Sequence, residues 1–216
     1  MNKVIVFGNG SYAKTISYYI ENYTDWSIEG YTTDTDSQED FFNNKKYISF
    51  EIMIENYSPN EYGIVMGIGY SNMNKLRETK FNMLKNFGYY LPNFIHPSAI
   101  LNDCKLGEGN IILENVVIEP NTTIGNDNII WSSVLLGHDG HHGNHNHYAA
   151  CCLIAGNCNV GDNCFIGNHA TVKDGIKVAS YTLLGAGSYL SKNTVEYDVF
   201  VPARTERIYK KSTFFI

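Results

Sequence analysis

Aliphatic residues return at every sixth position between residues 100 and 190. Sixteen positions fall in this count when it starts at Ile100, and fourteen of them are aliphatic. A six-residue period fits neither a 3.6-residue helix nor an alternating strand. It is typical of a hexapeptide solenoid, in which three short strands and three corners form a triangular coil of roughly eighteen residues. We therefore predict a solenoid with these residues inside and with glycines at corners that need unusual backbone angles.

The two exceptions in this count, His142 and Tyr148, follow one another. They lie in or beside residues 138–147, a segment that holds five of the seven histidines. A break in an otherwise consistent pattern is where a functional site is expected. His142 falls at an inward position, so we expect it either to find a polar partner in the core or to turn outward.

Residues eighteen apart lie above one another in such a solenoid, so Gly156 is predicted to lie over His138. The imidazole then adjoins backbone N–H groups that no side chain shields. Acyl transfer needs this pairing, because a base removes a proton from the nucleophile while hydrogen-bond donors stabilise the developing oxyanion. Asp139, the next residue, can orient the ring and stabilise its protonated form.

The residues before the solenoid predict a small α/β domain. Residues 3–7 are expected to form a buried strand, and the Gly-Asn-Gly-Ser-Tyr-Ala run at 8–13 precedes a predicted helix. This G-x-G-x-x-A spacing is typical of a nucleotide-binding turn, and Asp34 lies where an acidic residue holds a ribose hydroxyl. The segment is too short for the two halves of a dinucleotide fold, so a mononucleotide or a nucleotide-sugar fits better than NAD. A tight turn without a ligand is the alternative.

Composition narrows the class of protein further. The net charge of −6 argues against nucleic-acid binding, which needs a basic face. No apolar run is long enough to span a membrane, and the chain begins on a strand rather than a signal peptide, so we expect a cytoplasmic protein. Cys104, Cys152, Cys158 and Cys164 each fall two positions before an inward residue, which predicts small core residues rather than disulfides or zinc ligands.

Several motifs carry a resemblance to a known family. They read VFGNGSYA near the start, GIGYSNMNKLR in the middle, SSVLLGHD and AGNCNVGDNCFIGN in the solenoid, and LLGAGSYL and VPAR near the end. With these the chain resembles the hexapeptide acyltransferases that modify nucleotide-linked amino sugars, a group that includes sugar N-acetyltransferases and sialic acid O-acetyltransferases. The resemblance implies a left-handed parallel β-helix, acetyl-CoA as co-substrate without a metal, and a homotrimer with active sites between subunits.

The resemblance also implies roles for individual residues. His138 is expected to be the general base, oriented by Asp139, and His147 to contact the thioester of acetyl-CoA. The other residues expected to contact acetyl-CoA are Gly156, Gly185, Ala186 and Gly187. Those expected to hold the nucleotide are Gly8, Gly10, Ser11, Tyr12 and Asp34. His141, His142 and His145 are expected not to be catalytic.

These observations predict three parts and one activity. The parts are a Rossmann-like nucleotide-sugar-binding domain at 1–95, a left-handed β-helix acetyltransferase domain at 96–195, and a tail at 196–216. The predicted activity is transfer of an acetyl group from acetyl-CoA to the amino group of a dTDP-, UDP- or GDP-linked amino-deoxy sugar, for surface glycans such as the O-antigen of lipopolysaccharide.

Three alternatives stay open. The first is acetylation of a sugar hydroxyl, as in the sialic acid enzymes. The second is an enzyme that binds zinc through histidines. The segment is dense in histidines, and some trimeric solenoids resemble carbonic anhydrases that share zinc between subunits through histidines. The third is a solenoid that serves as a scaffold without catalysis.

Overall fold

The structure is a computed structural model that describes residues 2–34, 41–205, 207, 209–210 and 212–214. Its N-terminal part alternates strands and helices. The elements are β1 (Lys3–Phe7), α1 (Ser11–Tyr23), β2 (Ser27–Thr32), β3 (Phe41–Phe42), β4 (Lys45–Lys46), α2 (Phe50–Asn56), β5 (Tyr62–Met66) and α3 (Lys75–Asn86). A short 3-10 helix, Ser212–Phe214, lies near the end of the chain. No described helix is long and apolar enough to cross a membrane.

The parallel sheet of this domain has the order β2-β1-β5. Its central strand is apolar from Val4 to Phe7 and is buried, as expected for a parallel strand covered on both faces. The chain leaves β1 first toward β2 and later toward β5, so the strand order reverses between β1 and β5. In open α/β sheets, ligands bind outside the carboxyl ends of the strands at such a reversal. This edge faces the solenoid.

The second part is a three-sided parallel solenoid, whose sides we call faces 1, 2 and 3. Face 1 contains the strands Ile100–Leu101, Val117–Ile118, Leu135–Leu136, Leu153–Ile154, Thr171–Val172 and Tyr189–Leu190. Face 2 contains Lys105–Leu106, Thr123–Ile124, His141–His142, Asn159–Val160 and Lys177–Val178. Face 3 contains Phe94–Ile95, Ile111–Ile112, Ile129–Ile130, His147–Tyr148, Phe165–Ile166, Leu183–Leu184 and Val199–Phe200.

The eighteen-residue stacking holds through most of the coil and fails at its ends. Leu135 pairs with Val117 and with Leu153, each eighteen residues away. Ile100, however, pairs with Val117, and its side chain is 56% exposed. The prediction that Ile100 points inward is therefore wrong, because the first coil is one residue shorter and Leu101 takes the inward position. At the other end Val199–Phe200 still pairs with Leu183–Leu184, so face 3 continues past residue 195.

The corners depend on residues other than glycine. From Asn115 to His169, one residue in every six has a positive φ, and none of these ten is glycine. Several are asparagine or aspartate, which adopt left-handed backbone angles more readily than other side chains. The expectation that glycine relieves the corners is met mainly near the end of the coil, at Gly175 and Gly187, whose φ angles are 70° and 75°.

Asparagine side chains also tie the coils together at the corner between faces 2 and 3. Asn110 Oδ1 accepts from the backbone N–H of Asn128 at 2.9 Å, and Asn128 Oδ1 accepts from that of Asn146 at 2.9 Å. Asn146 Oδ1 in turn accepts from Cys164 N at 2.7 Å. All four residues are buried, so this ladder satisfies backbone donors that water does not reach.

His142 and Tyr148, the two exceptions to the aliphatic pattern, are each other's partners. Both point inward, and Nδ1 of His142 lies 2.8 Å from the Tyr148 hydroxyl. Burial, and to a lesser extent the neighbouring His141, lowers the pKa of His142 to about 3, so the ring is neutral. The break in the pattern at these positions is thus a hydrogen-bonded pair in the core. Three of the cysteines, Cys152, Cys158 and Cys164, are buried in the same core, as predicted.

The N-terminal domain packs on face 3. Phe94 and Ile111, which point outward from this face, share an apolar cluster with Val4 and Ile16. Beside this cluster, the guanidinium of Arg77 on α3 lies 2.7 Å from the carboxylate of Asp127, and both side chains are fully buried. The two parts are therefore joined by an apolar cluster and a buried ion pair.

Replacing Tyr148 with phenylalanine tests the core pair. The substitution leaves Nδ1 of His142 buried without a partner, so we expect the free energy of unfolding to fall by about 1–3 kcal/mol, measured by urea denaturation. The control is Tyr90→Phe, at a tyrosine that is 45% exposed, which we expect to change stability by less than about 0.5 kcal/mol. A Tyr148→Phe protein as stable as this control would contradict the role of the pair.

Candidate active site

A cavity of about 590 Å³, the first cavity, lies where the carboxyl ends of β1 and β5 meet face 3. Every residue predicted to hold a nucleotide lines it, namely Gly8, Gly10, Ser11, Tyr12 and Asp34. The β5 side contributes residues 67–70, and face 3 contributes Ile129, Trp131 and His147. The first cavity is therefore shared between the two parts of the chain.

The glycine turn after β1 brings backbone groups to the wall of this cavity. A Cβ on Gly8, whose φ is +139°, would lie 2.5 Å from the carbonyl oxygen of Gly67, so only glycine fits there. Helix α1 begins at Ser11 after Gly10, and no side chain caps its first turn. Uncapped N–H groups at a helix start favour an anion.

The two side chains of the predicted nucleotide site differ in their surroundings. Asp34 is ion-paired with Lys80 of α3, so a ribose hydroxyl bound by this carboxylate would share it with the ammonium group. The ring of Tyr12 lies 6.0 Å from that of Trp131, centroid to centroid. Burial raises the pKa of Tyr12 to about 12, so its hydroxyl stays protonated.

A second cavity, of about 340 Å³, lies at the corner between faces 3 and 1. Small residues stacked above Trp131 leave it open, since Ala149 and Gly167 follow at steps of eighteen. Of the three residues predicted to lie along the pantetheine, Ala186 lines this cavity, whereas its neighbours Gly185 and Gly187 are not among the lining residues. The space that these small residues leave open can admit a flexible ligand chain.

His147 lies between the two cavities and lines both of them. Its ring is stacked on Phe165, with centroids 4.8 Å apart and planes 7° apart. Burial, followed by the nearby charge of Arg77, lowers the pKa of His147 to about 3. The ring is therefore neutral near pH 7, so it can donate or accept a hydrogen bond but carries no charge.

His138 lies at another corner, between faces 1 and 2, and is exposed. Its Nδ1 is 2.8 Å from a carboxylate oxygen of Asp139, which leaves Nε2 as the free nitrogen. That contact raises the pKa of His138 and lowers that of Asp139. A Cβ on Gly156 would lie 2.5 Å from Nε2 of His138, so the stacking predicted from the sequence is present. The arrangement places a basic nitrogen beside the main chain of Gly156.

The predicted base, His138, and the predicted thioester contact, His147, do not meet within one chain. In a triangular coil, the corner between faces 1 and 2 lies opposite face 3. His138 stands on that corner, while His147 lies on face 3 and the second cavity opens at the far edge of face 1. The predicted base and the predicted thioester contact therefore belong to separate surfaces of this chain.

The remaining histidines of the segment point in different directions. His141 is exposed on face 2, His142 is in the core, and His145 is buried with its Nδ1 2.9 Å from Asp127. Among the residues that the structure describes, no group of three or more histidine, cysteine or acidic side chains is placed to hold a metal ion. Nothing in this geometry favours the zinc alternative.

Three aromatic residues of the site were not predicted from the sequence. Tyr70 and Trp131 line both cavities, and Phe165 lines the second. Phe165 follows His147 by eighteen residues, so the stacking rule could have identified it. Tyr70 follows the glycines after β5, beside the β1 turn, and the strand reversal could have pointed to it.

Comparisons with known families agree with this architecture. Residues 3–84 match the family model of the PglD N-terminal domain, and residues 93–138 match that of the bacterial transferase hexapeptide (six repeats). The chain combines a PglD N-terminal domain with transferase hexapeptide repeats. The family resemblance predicted from the motifs is thereby confirmed.

Solved structures of similar fold include three bacterial proteins. The acetyltransferase domain of PglB from Neisseria gonorrhoeae, in complex with acetyl coenzyme A, is 19% identical with a TM-score of 0.78, over 92% of this chain and 95% of that one. A mutant of perosamine N-acetyltransferase from Caulobacter crescentus, in complex with CoA and GDP-perosamine, is 22% identical with a TM-score of 0.81, and the match covers 96% of this chain and 98% of that one. WeeI from Acinetobacter baumannii is 18% identical with a TM-score of 0.79, and the match covers 92% of this chain and 96% of that one. The predicted fold, a Rossmann-like domain followed by a left-handed β-helix, is confirmed.

The contact between His138 and Asp139 can be tested without any substrate. Replacing Asp139 with asparagine removes the negative charge that favours the imidazolium, so we expect the pKa of His138 to fall. Proton NMR titration of the His138 ring measures it. Asp174→Asn, at an exposed aspartate two coils further along the same corner, is the control and should leave the pKa of His138 unchanged. An unchanged pKa in the Asp139 variant would contradict the contact.

Proposed function

We propose that this chain is an acetyl-CoA-dependent N-acetyltransferase that acts on the amino group of a nucleotide-linked amino-deoxy sugar. The observation that carries the proposal is the meeting of two unlike cavities at His147. The first offers a glycine turn and a helix start to the diphosphate of a nucleotide, and the second offers a cavity lined by alanine and glycine to a pantetheine chain. We place the reaction in the cytoplasm, in the synthesis of surface glycans such as O-antigen.

The similar structures support both ligands. PglB was solved with acetyl coenzyme A, and perosamine N-acetyltransferase with CoA and GDP-perosamine. Those proteins have the same two-part fold as this chain over more than nine-tenths of its length.

We propose further that the active enzyme is a trimer, because the outer surface of face 1 is apolar and uncovered. Its outward residues include Ile100, Leu153 and Tyr189, which are 56%, 36% and 65% exposed. The outward residues of face 2 are polar by contrast: Lys105, Thr123, His141, Asn159 and Lys177. Apolar surface of this kind is typical of a protein interface. We therefore place face 1 against other copies.

A three-fold arrangement brings the separated groups together. If face 1 of each copy faces the three-fold axis, the edge of one face 1 meets the opposite edge of the next. His138 lies at one edge of face 1, and the second cavity lies at the opposite edge. His138 of one copy therefore approaches the second cavity of the neighbouring copy. Rotation leaves height along the coil unchanged, so His138 arrives between the levels of Trp131 and Ala149, which both line that cavity. The site is complete only between copies.

The mechanism follows from these groups. Asp139 accepts from Nδ1–H of His138, so Nε2 is free to take a proton from the sugar amine as the amine attacks the thioester carbonyl. The Gly156 N–H, which donates to no described backbone or side-chain atom, is the donor we assign to the oxyanion. The C–N bond forms and the C–S bond breaks, and the protonated His138 gives its proton to the departing sulfur, so CoA leaves as the thiol. The neutral ring of His147 contacts the acetyl end.

Replacing His138 with asparagine tests the assignment of the base. We expect kcat to fall by about a hundredfold or more, because the amine then lacks a proton acceptor. The assay uses acetyl-CoA with dTDP-, UDP- and GDP-linked amino sugars, and His141→Asn, in the same segment but on face 2, is the control.

Two results would contradict the proposal. Turnover by the His138 variant at the wild-type rate would remove the base from the mechanism. A product that loses its acetyl group in mild base would be an ester, which would replace N-acetylation by O-acetylation, since amides survive that treatment.

A further inference from the structure

Tyr70 lies on the wall that separates the two cavities. The side chains that line both are Tyr70, Trp131 and His147, and among the described residues before the coil Tyr70 alone does so. A sugar whose nucleotide occupies the first cavity has to pass this wall to bring its amine to the second. Tyr70 therefore stands between the proposed substrates.

The ring of Tyr70 contacts the solenoid edge-on and leaves much of its surface free. Its centroid lies 4.5 Å from that of His147, with planes 63° apart, and 5.0 Å from that of Phe165. The residue is nevertheless 59% exposed. A tyrosine this exposed contributes little to the core, so its contacts on the cavity side are better explained by a ligand than by stability.

The loop that carries Tyr70 is fixed at both ends. Before it, Arg77 donates to the carbonyl oxygens of Met66 at 3.2 Å and Ile68 at 2.7 Å while it pairs with Asp127 of the solenoid. After it, the buried Asn74 donates to the carbonyl oxygen of His145 at 2.6 Å. The position of Tyr70 relative to His147 is thus set by contacts that cross between the domain and the coil.

The backbone between these fixed points is strained. Asn72, Met73 and Asn74 have φ angles of 45°, 50° and 60°, three consecutive left-handed residues without glycine. Such strain persists where the surroundings impose it, and it concentrates at functional sites. The fixed ends and the strained turn both hold Tyr70 in one place.

We infer that Tyr70 is a positioning residue for acetyl transfer, whose ring directs the acceptor sugar from the first cavity toward His147 and the second. The inference rests on the proposed function. The free face of the ring packs against the C–H face of the sugar, a contact that requires the aromatic ring and not its hydroxyl. Tyr70 takes no part in proton transfer.

The test compares Tyr70→Ala with Tyr70→Phe and Tyr70→Leu. Without the ring the two substrates still bind but are misaligned, so we expect kcat of Tyr70→Ala to fall by about ten- to a hundredfold. Dissociation constants for acetyl-CoA and for the nucleotide-sugar, measured by calorimetry, should each change less than about threefold. Tyr70→Phe should keep kcat within about threefold of wild type, and Tyr70→Leu, which keeps bulk without the ring, should resemble Tyr70→Ala.

The matched control is Tyr18→Ala, at a tyrosine on α1 that is 57% exposed and should leave kcat unchanged. Three results would each overturn the role of Tyr70. They are an unaltered kcat in Tyr70→Ala, a loss of kcat in Tyr70→Phe as large as that in Tyr70→Ala, and a change in the dissociation constants without a change in kcat. Wild-type protein that transfers no acetyl group to any nucleotide-linked amino sugar would instead contradict the proposed function, and this role with it.

Discussion

The structure depends on one constraint, the eighteen-residue stacking of the coil. Through most of the coil each residue lies above the one eighteen positions earlier, so each side chain packs against the coils before and after its own. The stacking places Gly156 on the ring of His138 and Phe165 on that of His147. It also divides the surface into an apolar face 1, a polar face 2, and a face 3 that the N-terminal domain covers in part. The site follows from this division.

The surroundings of His138 and His147 shift the pKa values of these two histidines in opposite directions. His138 is exposed beside Asp139, which raises its pKa and suits it to accept a proton. His147, nine residues later, is enclosed by aromatic rings and lies near Arg77, and its pKa falls to about 3. A base has to exchange protons, whereas a group that holds an uncharged acetyl has only to offer a hydrogen bond. The environment therefore matches each histidine to its proposed role.

The sequence predicted correctly those features of the fold and the site that a single local pattern determines. The six-residue period predicted the coil and the contact of Gly156 with His138, and the glycine spacing predicted the turn after β1. The sequence did not predict features that depend on contacts between segments far apart in the chain. The partner of His142 and the wall at Tyr70 depend on contacts between side chains that no local pattern fixes, and Ile100 was misassigned because one coil is a residue shorter. The left-handed corners show that asparagine and aspartate can replace glycine where a single residue turns the chain.

The central claim is that the active site lies between copies, with His138 from one and His147 from the next. The most direct measurement is acetyl transfer by assemblies formed from a one-to-one mixture of His138→Asn chains and His147→Ala chains, each of which we expect to have little activity alone. Random assembly leaves about a quarter of the boundaries with both histidines intact, so the account predicts recovery of about a quarter of wild-type activity. Mixed assemblies with no more activity than either variant alone would contradict it.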